Sequence, residues 1–323
     1  MKNKYSNKYI IETGMGLQDV DGLKNSSYFI SEANRYIKGE ITLDELDRVI
    51  NSYYQNKPKS EDRNDEADKV AVRIGTIISE DSFTFSVGQL LSIHKTLFDG
   101  ILDNFGKLRD YNFSKKEWVL DGASVTYGDY RELETILQYD FEQEKKYRYS
   151  NRSIDEIIEH LAIFVANLWQ AHAFEEGNTR TTAVFFIKYL RSLGFDVSND
   201  IFAKNAWYFR NSLVRANYTN VAKGIYEDRS YLIMFLRNLL LNEKNELKNR
   251  ELHIVVNANK DNEPKETKII ALIKNNPKIT TDKIAASLGV SVRTVKNIIK
   301  MLNDNKTIER INGKRYGYWK INK

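Results

Sequence analysis

The stretch that decides the fold is His172-Ala173-Phe174-Glu175-Glu176-Gly177-Asn178-Thr179-Arg180. It lies between two apolar segments with helical periodicity, residues 154–171 and 179–193, so we predict a helix–loop–helix corner at this point. A helix start exposes free backbone N–H groups and a partial positive charge, which favour phosphate binding. The stretch adds a histidine that can act as a base, a carboxylate that can hold a metal ion and an arginine that can pair with phosphate. It therefore predicts a site that handles a nucleotide phosphate.

Length and composition narrow the class of protein. The chain has 323 residues, of which 41% are apolar, and this is enough for two or three domains with packed cores. No apolar run reaches the length of a membrane span, and the N-terminus lacks the apolar segment of a secretory signal. The absence of cysteine excludes disulfides, thiolate metal sites and cysteine nucleophiles. We expect a cytoplasmic protein that does not enter the membrane.

Charge is distributed unevenly along the chain. Residues 265–323 contain 14 Lys and Arg against 4 Asp and Glu, a net charge of +10, whereas residues 1–264 contain 35 against 40, a net charge of −5. A basic end on an acidic body indicates a separate module that binds a polyanion.

Polar stretches around Pro58 and Pro264 divide the chain. We predict an N-terminal helical segment at 1–60, a mainly helical body at 66–250, a linker at 251–265 and a basic module at 266–323. Within the body, residues 118–127 differ, because two short β-type runs flank Asp121-Gly122. They predict a β-hairpin, and a lone hairpin in a helical body is often a flap over a binding site.

The motif at 172–180 resembles the Fic family pattern H-x-F-x-(D/E)-G-N-G-R-x-x-R. The matching positions are His172, Phe174, Glu176, Gly177, Asn178 and Arg180. The resemblance extends over residues 66–245, with the predicted hairpin where the family has its flap. It implies a mainly α fold with a Fic-type helical core, and an enzyme that transfers AMP from ATP to a hydroxyl side chain of a target protein, a protein adenylyltransferase.

The resemblance also implies roles for individual residues. His172 would be the catalytic base, and Glu176 would hold Mg²⁺. Four residues would bind the ATP phosphates: Gly177, Asn178, Thr179 and Arg180. The flap would clamp the target backbone as an added strand through Ser124, Val125, Thr126 and Tyr127.

Two positions depart from the family pattern. Thr179 replaces a glycine, and we expect little loss because its hydroxyl can cap the helix. Ala183 replaces the final arginine, and losing that charge-assisted contact would cost about 1.5–3 kcal/mol of phosphate binding. This keeps two alternatives open: a DNA-binding regulator whose Fic domain is a weak or inactive nucleotide-binding module, and an enzyme with another donor or reaction, such as UMP transfer or phosphorylation. The family's inhibitory (S/T)-x-x-x-E-(G/N) helix motif is also missing, so we expect no such glutamate switch.

The pattern at 284–295 resembles a winged helix-turn-helix domain, with helices at 268–274, 281–288 and 291–302 followed by a two-stranded wing. The resemblance implies that the third helix enters the DNA major groove. The predicted DNA contacts are Ser291, Arg293, Thr294 and Lys296 on that helix, and Lys314 and Arg315 at the wing tip. A module used for protein contact is the alternative, and the sequence leaves open whether two copies pair as a homodimer.

Overall fold

The structure, a computed structural model, describes residues 4–57, 61–254, 265–288, 290–311 and 317–322. The chain forms two compact units, Met1–Ile254 and Val255–Lys323. It is mostly helical, as the sequence predicts, and among the described residues no helix is both long and apolar enough to cross a membrane.

Four helices and a 3-10 turn open the first unit: α1 (Asn7–Gly16), the turn Leu17–Asp21, α2 (Ser27–Ile37), α3 (Leu43–Tyr54) and α4 (Asn64–Ser79). Thr42 and Glu45 form a capping box at the start of α3. Helix α1 was not predicted; it packs closely on α4, where a Cβ on Gly14 would lie 2.2 Å from the Ala71 carbonyl oxygen. Helices α1, α2 and α3 share one hydrophobic core with the remainder of this unit.

Four more helices build the centre of the unit: α5 (Val87–Phe98), α6 (Leu133–Lys146), α7 (Ile154–Ala171) and α8 (Asn178–Ser192). Ser153 and Glu156 form a capping box at the start of α7, whose apolar stripe is buried. Every residue of α8 from Asn178 to Leu190 is buried, so α8 is the central helix of this unit. Three helices complete the unit: α9 (Ile201–Ala216), α10 (Ser230–Leu241) and α11 (Asn249–Leu252).

The prediction of two β-strands at 118–127 is wrong. Residues Trp118–Leu120 form a 3-10 helix, and no strand is present within the described residues 112–128. The predicted chain reversal does occur, because Asp121 and Gly122 both adopt positive φ (53° and 82°) and the Glu117 N–H donates to the Ala123 carbonyl oxygen at 2.9 Å. The segment is therefore a folded-back loop, and we call residues 113–127 the flap.

The second unit has the order of a winged helix-turn-helix. Its helices are α12 (Lys265–Asn275), α13 (Thr281–Leu288) and α14 (Val292–Asp304), and its strands are β1 (Ile308–Ile311) and β2 (Tyr318–Ile321). The strands pair antiparallel, with Ile308 opposite Ile321. A separate core of aliphatic side chains, among them Ile269, Ile284, Val295 and Leu302, holds the elements together. The predicted wing-tip contacts Lys314 and Arg315 lie outside the described residues.

Candidate functional site

The motif loop runs between the end of α7 and the start of α8. His172 ends α7 in the left-handed region (φ 49°, ψ 55°), and Gly177 precedes α8 with φ 72°. A Cβ at Gly177 would lie 2.3 Å from a ring carbon of Phe98, so both the backbone angle and the packing require glycine. The predicted helix–loop–helix corner is present, and its local geometry follows from these two positive-φ residues.

Two polar side chains fasten the loop. The Asn178 side-chain amide accepts from the Phe174 N–H (2.9 Å) and donates to the Phe174 carbonyl (2.6 Å). His94 stacks on the Phe174 ring at 3.7 Å, its Nδ1 accepts from the Gly106 N–H (2.8 Å), and its Nε2 therefore donates to the Glu176 carbonyl (3.1 Å). Burial lowers the pKa of His94 to about 4, which keeps it neutral. The side chain of Asn178, predicted to bind phosphate, thus holds the loop in shape.

His172 lies in an aromatic enclosure. Its ring stacks on Tyr127 at a centroid distance of 3.8 Å, and the rings of Trp169 and Phe113 meet it edge-on at 5.4 and 5.5 Å. The residue is 3% exposed, and neither ring nitrogen has a hydrogen-bond partner among the described residues. Burial, reinforced by the nearby charges of Lys115, Arg109 and Arg210, holds the pKa of His172 well below its usual range. At neutral pH the imidazole is uncharged and can accept a proton.

The flap is anchored over His172 by an ion pair. The Arg210 guanidinium of α9 donates to both carboxylate oxygens of Glu117, at 2.6 and 3.0 Å, and Glu117 is 1% exposed. The Tyr127 hydroxyl donates to the same carboxylate at 3.3 Å. This bidentate pair fixes the flap in a position where the Tyr127 ring covers the His172 imidazole.

The four predicted target-docking residues occupy the outgoing limb of the flap. The Ser124 hydroxyl accepts from the Lys115 N–H, and the Thr126 carbonyl accepts from the Gln170 amide at 3.1 Å. Val125 is buried and Thr126 is exposed. A target strand would therefore find only part of this limb accessible.

A second anchor is Arg109, to which the sequence analysis assigns no role. Its Nε donates to the His172 carbonyl oxygen at 2.7 Å, Nη1 donates to the Tyr111 carbonyl at 2.6 Å, and Nη2 donates to the Gly128 carbonyl. One buried guanidinium thus joins the end of α7 to both ends of the flap. Three backbone carbonyls that converge from distant segments leave no periodic signal in the sequence.

Arg180, the predicted phosphate ligand, is fully buried and already paired. Its Nη2 donates to Glu66 at 2.8 Å, and its Nη1 donates to the Gln18 side chain at 3.1 Å. Its Nε lies 2.9 Å from a carboxylate oxygen of Asp21, an ion pair whose angle does not make it a hydrogen bond. The guanidinium also lies over the Phe98 ring. The N-terminal residues therefore neutralise the charge that was expected to meet phosphate.

Glu176, the predicted metal ligand, pairs with Arg63 at 2.9 Å, and Arg63 pairs also with Glu66 at 2.7 Å. No group of three or more metal-binding side chains occurs in the described part of the chain. The Glu176 side chain is 50% exposed, so a single carboxylate can supply one oxygen to a Mg²⁺ ion that takes its other ligands from water and substrate phosphates. The residues present fit that mode of metal binding, in competition with Arg63.

The two departures from the motif are both buried. The Thr179 hydroxyl accepts from the Trp169 indole N–H at 2.9 Å, so it satisfies a buried donor and does not cap α8. Ala183 is completely buried in the core of the first unit. Neither side chain offers a charge to a ligand.

In the second unit, α14 presents a basic face. Arg293, Lys296 and Lys300 are exposed at helical spacing together with Asn297, while Val295 and Ile299 face the core. The Ser291 hydroxyl accepts from the Thr294 N–H at 3.1 Å and lies 2.8 Å from the Thr294 hydroxyl, so these two predicted DNA contacts form the N-cap. Asn297 and Lys300 on this face are not among the DNA contacts that the sequence predicts.

Comparison with known proteins gives matches in both units. Residues 84–190 match the model of the Fic/DOC family, and residues 265–319 match an HTH domain model. A Fic family protein from Desulfovibrio desulfuricans G20 is similar in structure (TM-score 0.45, 14% identity, 98% of this chain and 86% of that chain covered). So is the N-terminal Fic domain of a Bartonella effector protein from Bartonella sp. AR 15-3 (TM-score 0.36, 19% identity, 61% and 81% covered). No curated protein matches the chain.

The Fic/DOC match includes the flap and the motif corner. The HTH match includes the three helices of the second unit and reaches its paired strands. Residues 84–190 are a domain of the Fic/DOC family, and residues 265–319 are a helix-turn-helix domain.

Proposed function

We propose that this chain is a protein adenylyltransferase that moves AMP from ATP to a hydroxyl side chain of a target protein. The observation that carries the proposal is His172: a neutral, buried imidazole whose two nitrogens have no partner among the described residues, at the first position of the motif loop. Burying such a group unpaired costs free energy, which is typical of a residue kept for catalysis.

In the proposed reaction, His172 is the base. His172 takes the proton of the target hydroxyl, and the hydroxyl oxygen then attacks the α-phosphorus of ATP. The bond from that phosphorus to the bridging oxygen of the β-phosphate breaks, and pyrophosphate leaves. The free backbone N–H groups at the start of α8, beside Gly177, would bind phosphate oxygens. Mg²⁺, held by Glu176 and the phosphates, would neutralise the charge of the leaving group.

Two rearrangements have to accompany the reaction. Tyr127 covers the His172 ring, so the flap has to move before a hydroxyl can reach the imidazole. Arg180 and Glu176 are both paired with N-terminal residues, so phosphate and metal have to displace Glu66 and Arg63. The displacement of Glu66 and Arg63 exchanges one ion pair for another at each site, so its net cost is smaller than the loss of either pair alone.

A weak nucleotide-binding module on a DNA-binding regulator is the second candidate function. It is favoured by the complete burial and pairing of Arg180 and by the alanine at position 183, which removes the second arginine of the motif. A regulator would bind nucleotide without turnover. An enzyme that performs phosphorylation would label the target from the γ-phosphate of ATP. An enzyme that uses another donor would not label the target from ATP.

Incubation of the purified protein with Mg²⁺ and a bacterial lysate, in parallel with α-³²P-ATP and γ-³²P-ATP, separates these functions. We expect covalent label from the α-phosphate alone, lost in His172→Ala while nucleotide binding is retained. Label from the γ-phosphate alone would indicate phosphorylation. No label from either would favour the regulator or an enzyme that uses another donor, and full transfer by His172→Ala would contradict the mechanism.

We also propose that residues 266–323 bind DNA, with α14 in the major groove. The support is the exposed basic face of α14 together with the net charge of +10 over residues 265–323. Arg293 and Lys296 would meet bases or phosphates. Ser291 and Thr294 would act mainly by capping the helix, and Lys314 and Arg315 stay predicted contacts.

A further inference from the structure

A cavity of about 400 Å³ lies beside the flap, on the side of α6 and α7. Its wall includes the backbone at Thr126 and Gly128, the Ile136 side chain and two polar side chains of the helices, Asp140 and Asn167. Neither His172 nor any other motif residue is needed to form it. The proposed reaction therefore does not account for this space.

Asp140 is the chemically distinctive group in the cavity. Its carboxylate makes no hydrogen bond and no ion pair within the described part of the chain, although the residue is only partly accessible to solvent. Burial alone raises the pKa of Asp140 to about 6. The carboxylate is still mostly ionised at neutral pH. It has no counter-charge among the described residues, and a cationic ligand could supply one.

The cavity is next to the proposed reaction centre. Tyr127 lines the cavity and also stacks on the His172 imidazole at 3.8 Å, so a single ring separates the two. Gln170, which also lines the cavity, donates to the Thr126 carbonyl at 3.1 Å. A polypeptide lying along the outgoing limb of the flap, with its hydroxyl directed at His172, would have a neighbouring side chain within reach of this opening.

We propose that the cavity binds a lysine or arginine side chain of the target protein, close in sequence to the modified hydroxyl. Ile136 offers an apolar surface for the aliphatic stem, Asp140 offers a carboxylate for the cationic end, and the Asn167 side chain offers a further hydrogen-bond partner. This inference rests on the proposed transfer to a protein, because it assigns a selectivity determinant for that target. A target with an acidic or bulky apolar neighbour would be disfavoured.

The first test detects the cavity without any transfer reaction. The carboxyl carbon of Asp140, assigned by comparison with Asp140→Asn in ¹³C-labelled full-length protein, is followed by NMR while butylguanidinium chloride is added. We expect the Asp140 resonance to shift and its apparent pKa to fall, whereas butanol, which has the same stem without charge, leaves both unchanged. An Asp140 carbon that does not respond to butylguanidinium would overturn the proposal.

The second test measures selectivity in the reaction. A degenerate peptide library with a fixed serine or threonine is labelled with α-³²P-ATP by the wild type, by Asp140→Asn and by Glu142→Gln, an exposed change on the same helix. We expect Lys or Arg to be enriched about tenfold or more at one position, and the enrichment to be lost only in Asp140→Asn. Asp140→Lys should shift the preference to Asp or Glu.

The two tests fail in distinguishable ways. A preference for basic residues that persists in Asp140→Asn contradicts the assignment of the cavity but leaves the transfer reaction intact. A library that the wild type does not label contradicts the proposed transfer, and the butylguanidinium titration then decides separately whether the cavity binds a cation.

Discussion

The guanidinium of Arg63 lies 2.9 Å from a carboxylate oxygen of Glu176, although the two residues are 113 positions apart in the chain. Arg63 directly precedes α4 with φ 52°, a left-handed conformation that is uncommon for a residue with a side chain. The same guanidinium reaches Glu66, which in turn pairs with Arg180. A chain of alternating charges thus runs from the predicted metal ligand to the predicted phosphate ligand, through the N-terminal part of the fold.

Arg63→Ala is expected to strengthen the binding of metal and nucleotide. The Arg63–Glu176 pair is about half exposed, so it is worth at most about 1 kcal/mol, and its removal should raise affinity by up to about fivefold. Isothermal titration with Mn²⁺ and the non-transferable analogue AMPCPP measures this. Arg152→Ala, which removes a similarly exposed pair with Glu156, is the control and should change nothing. Unchanged or weaker binding in Arg63→Ala would show that Arg63 does not compete for the site.

Glu66→Ala is expected to destabilise the first unit strongly. Arg180 is fully buried, and without Glu66 only the Asp21 carboxylate remains to compensate its charge, while Gln18 accepts one hydrogen bond. Removing one partner of a buried ion pair costs about 3–5 kcal/mol, and the remaining partners place the expected loss near the lower value. Urea denaturation gives the free energy of unfolding. Glu12→Ala, from the solvent-exposed pair with Lys8, should have little effect; equal stabilities of the two variants would contradict the argument.

Stability should fall as the solution becomes acidic, in part because of His94. Its pKa is about 4 in the folded protein and about 6.5 in an unfolded chain. Between these values the unfolded state binds a proton that the folded state does not, so stability is lost as pH falls below about 6.5. The expected loss from this group is about 2 kcal/mol between about pH 7.5 and pH 5. His94→Gln should show a smaller loss over that range in urea denaturation, and an identical pH profile would refute the assignment.

Glu117→Gln is expected to loosen the flap without unfolding the protein. The change keeps the shape of the side chain but removes the charge that holds Arg210 in a bidentate pair. Losing a charge-assisted hydrogen bond of about 1.5–3 kcal/mol should accelerate amide hydrogen exchange across residues 113–127 by about tenfold or more. Mass spectrometry of the exchange measures this, with the exposed change Glu132→Gln as the control. Exchange at the wild-type rate would mean that the ion pair does not hold the flap closed.

The sequence predicted the motif corner well because its determinants are local. The apolar stripe of α7 and the capping box at Ser153 depend only on residues a few positions apart in the chain, and the glycine at 177 lies in the corner itself. The pairing of Arg180 could not be predicted, since Glu66 is 114 positions away and a periodic pattern holds no information about such a contact.

The conformation of the flap, like the pairing of Arg180, depends on contacts between residues that are distant in the chain. The Asp-Gly turn was predicted correctly, but strands did not form, because the Glu117 side chain turns toward Arg210 and Val125 enters the core. Tertiary contacts of single side chains thus override the strand preference of the sequence.

Lys296→Ala should weaken DNA binding in a way that depends on salt. If Lys296 neutralises one phosphate, its loss should reduce the slope of log affinity against log salt concentration by about 1, and affinity should fall for every DNA sequence alike. Fluorescence anisotropy with a random-sequence duplex, repeated at several salt concentrations, measures both quantities. Lys8→Ala removes the same charge from the first unit and should leave the slope unchanged, because Lys8 lies on α1 and not on the proposed DNA-binding face. If the wild type binds no duplex even at low salt, the exposed basic face of α14 is instead a surface for contact with another protein.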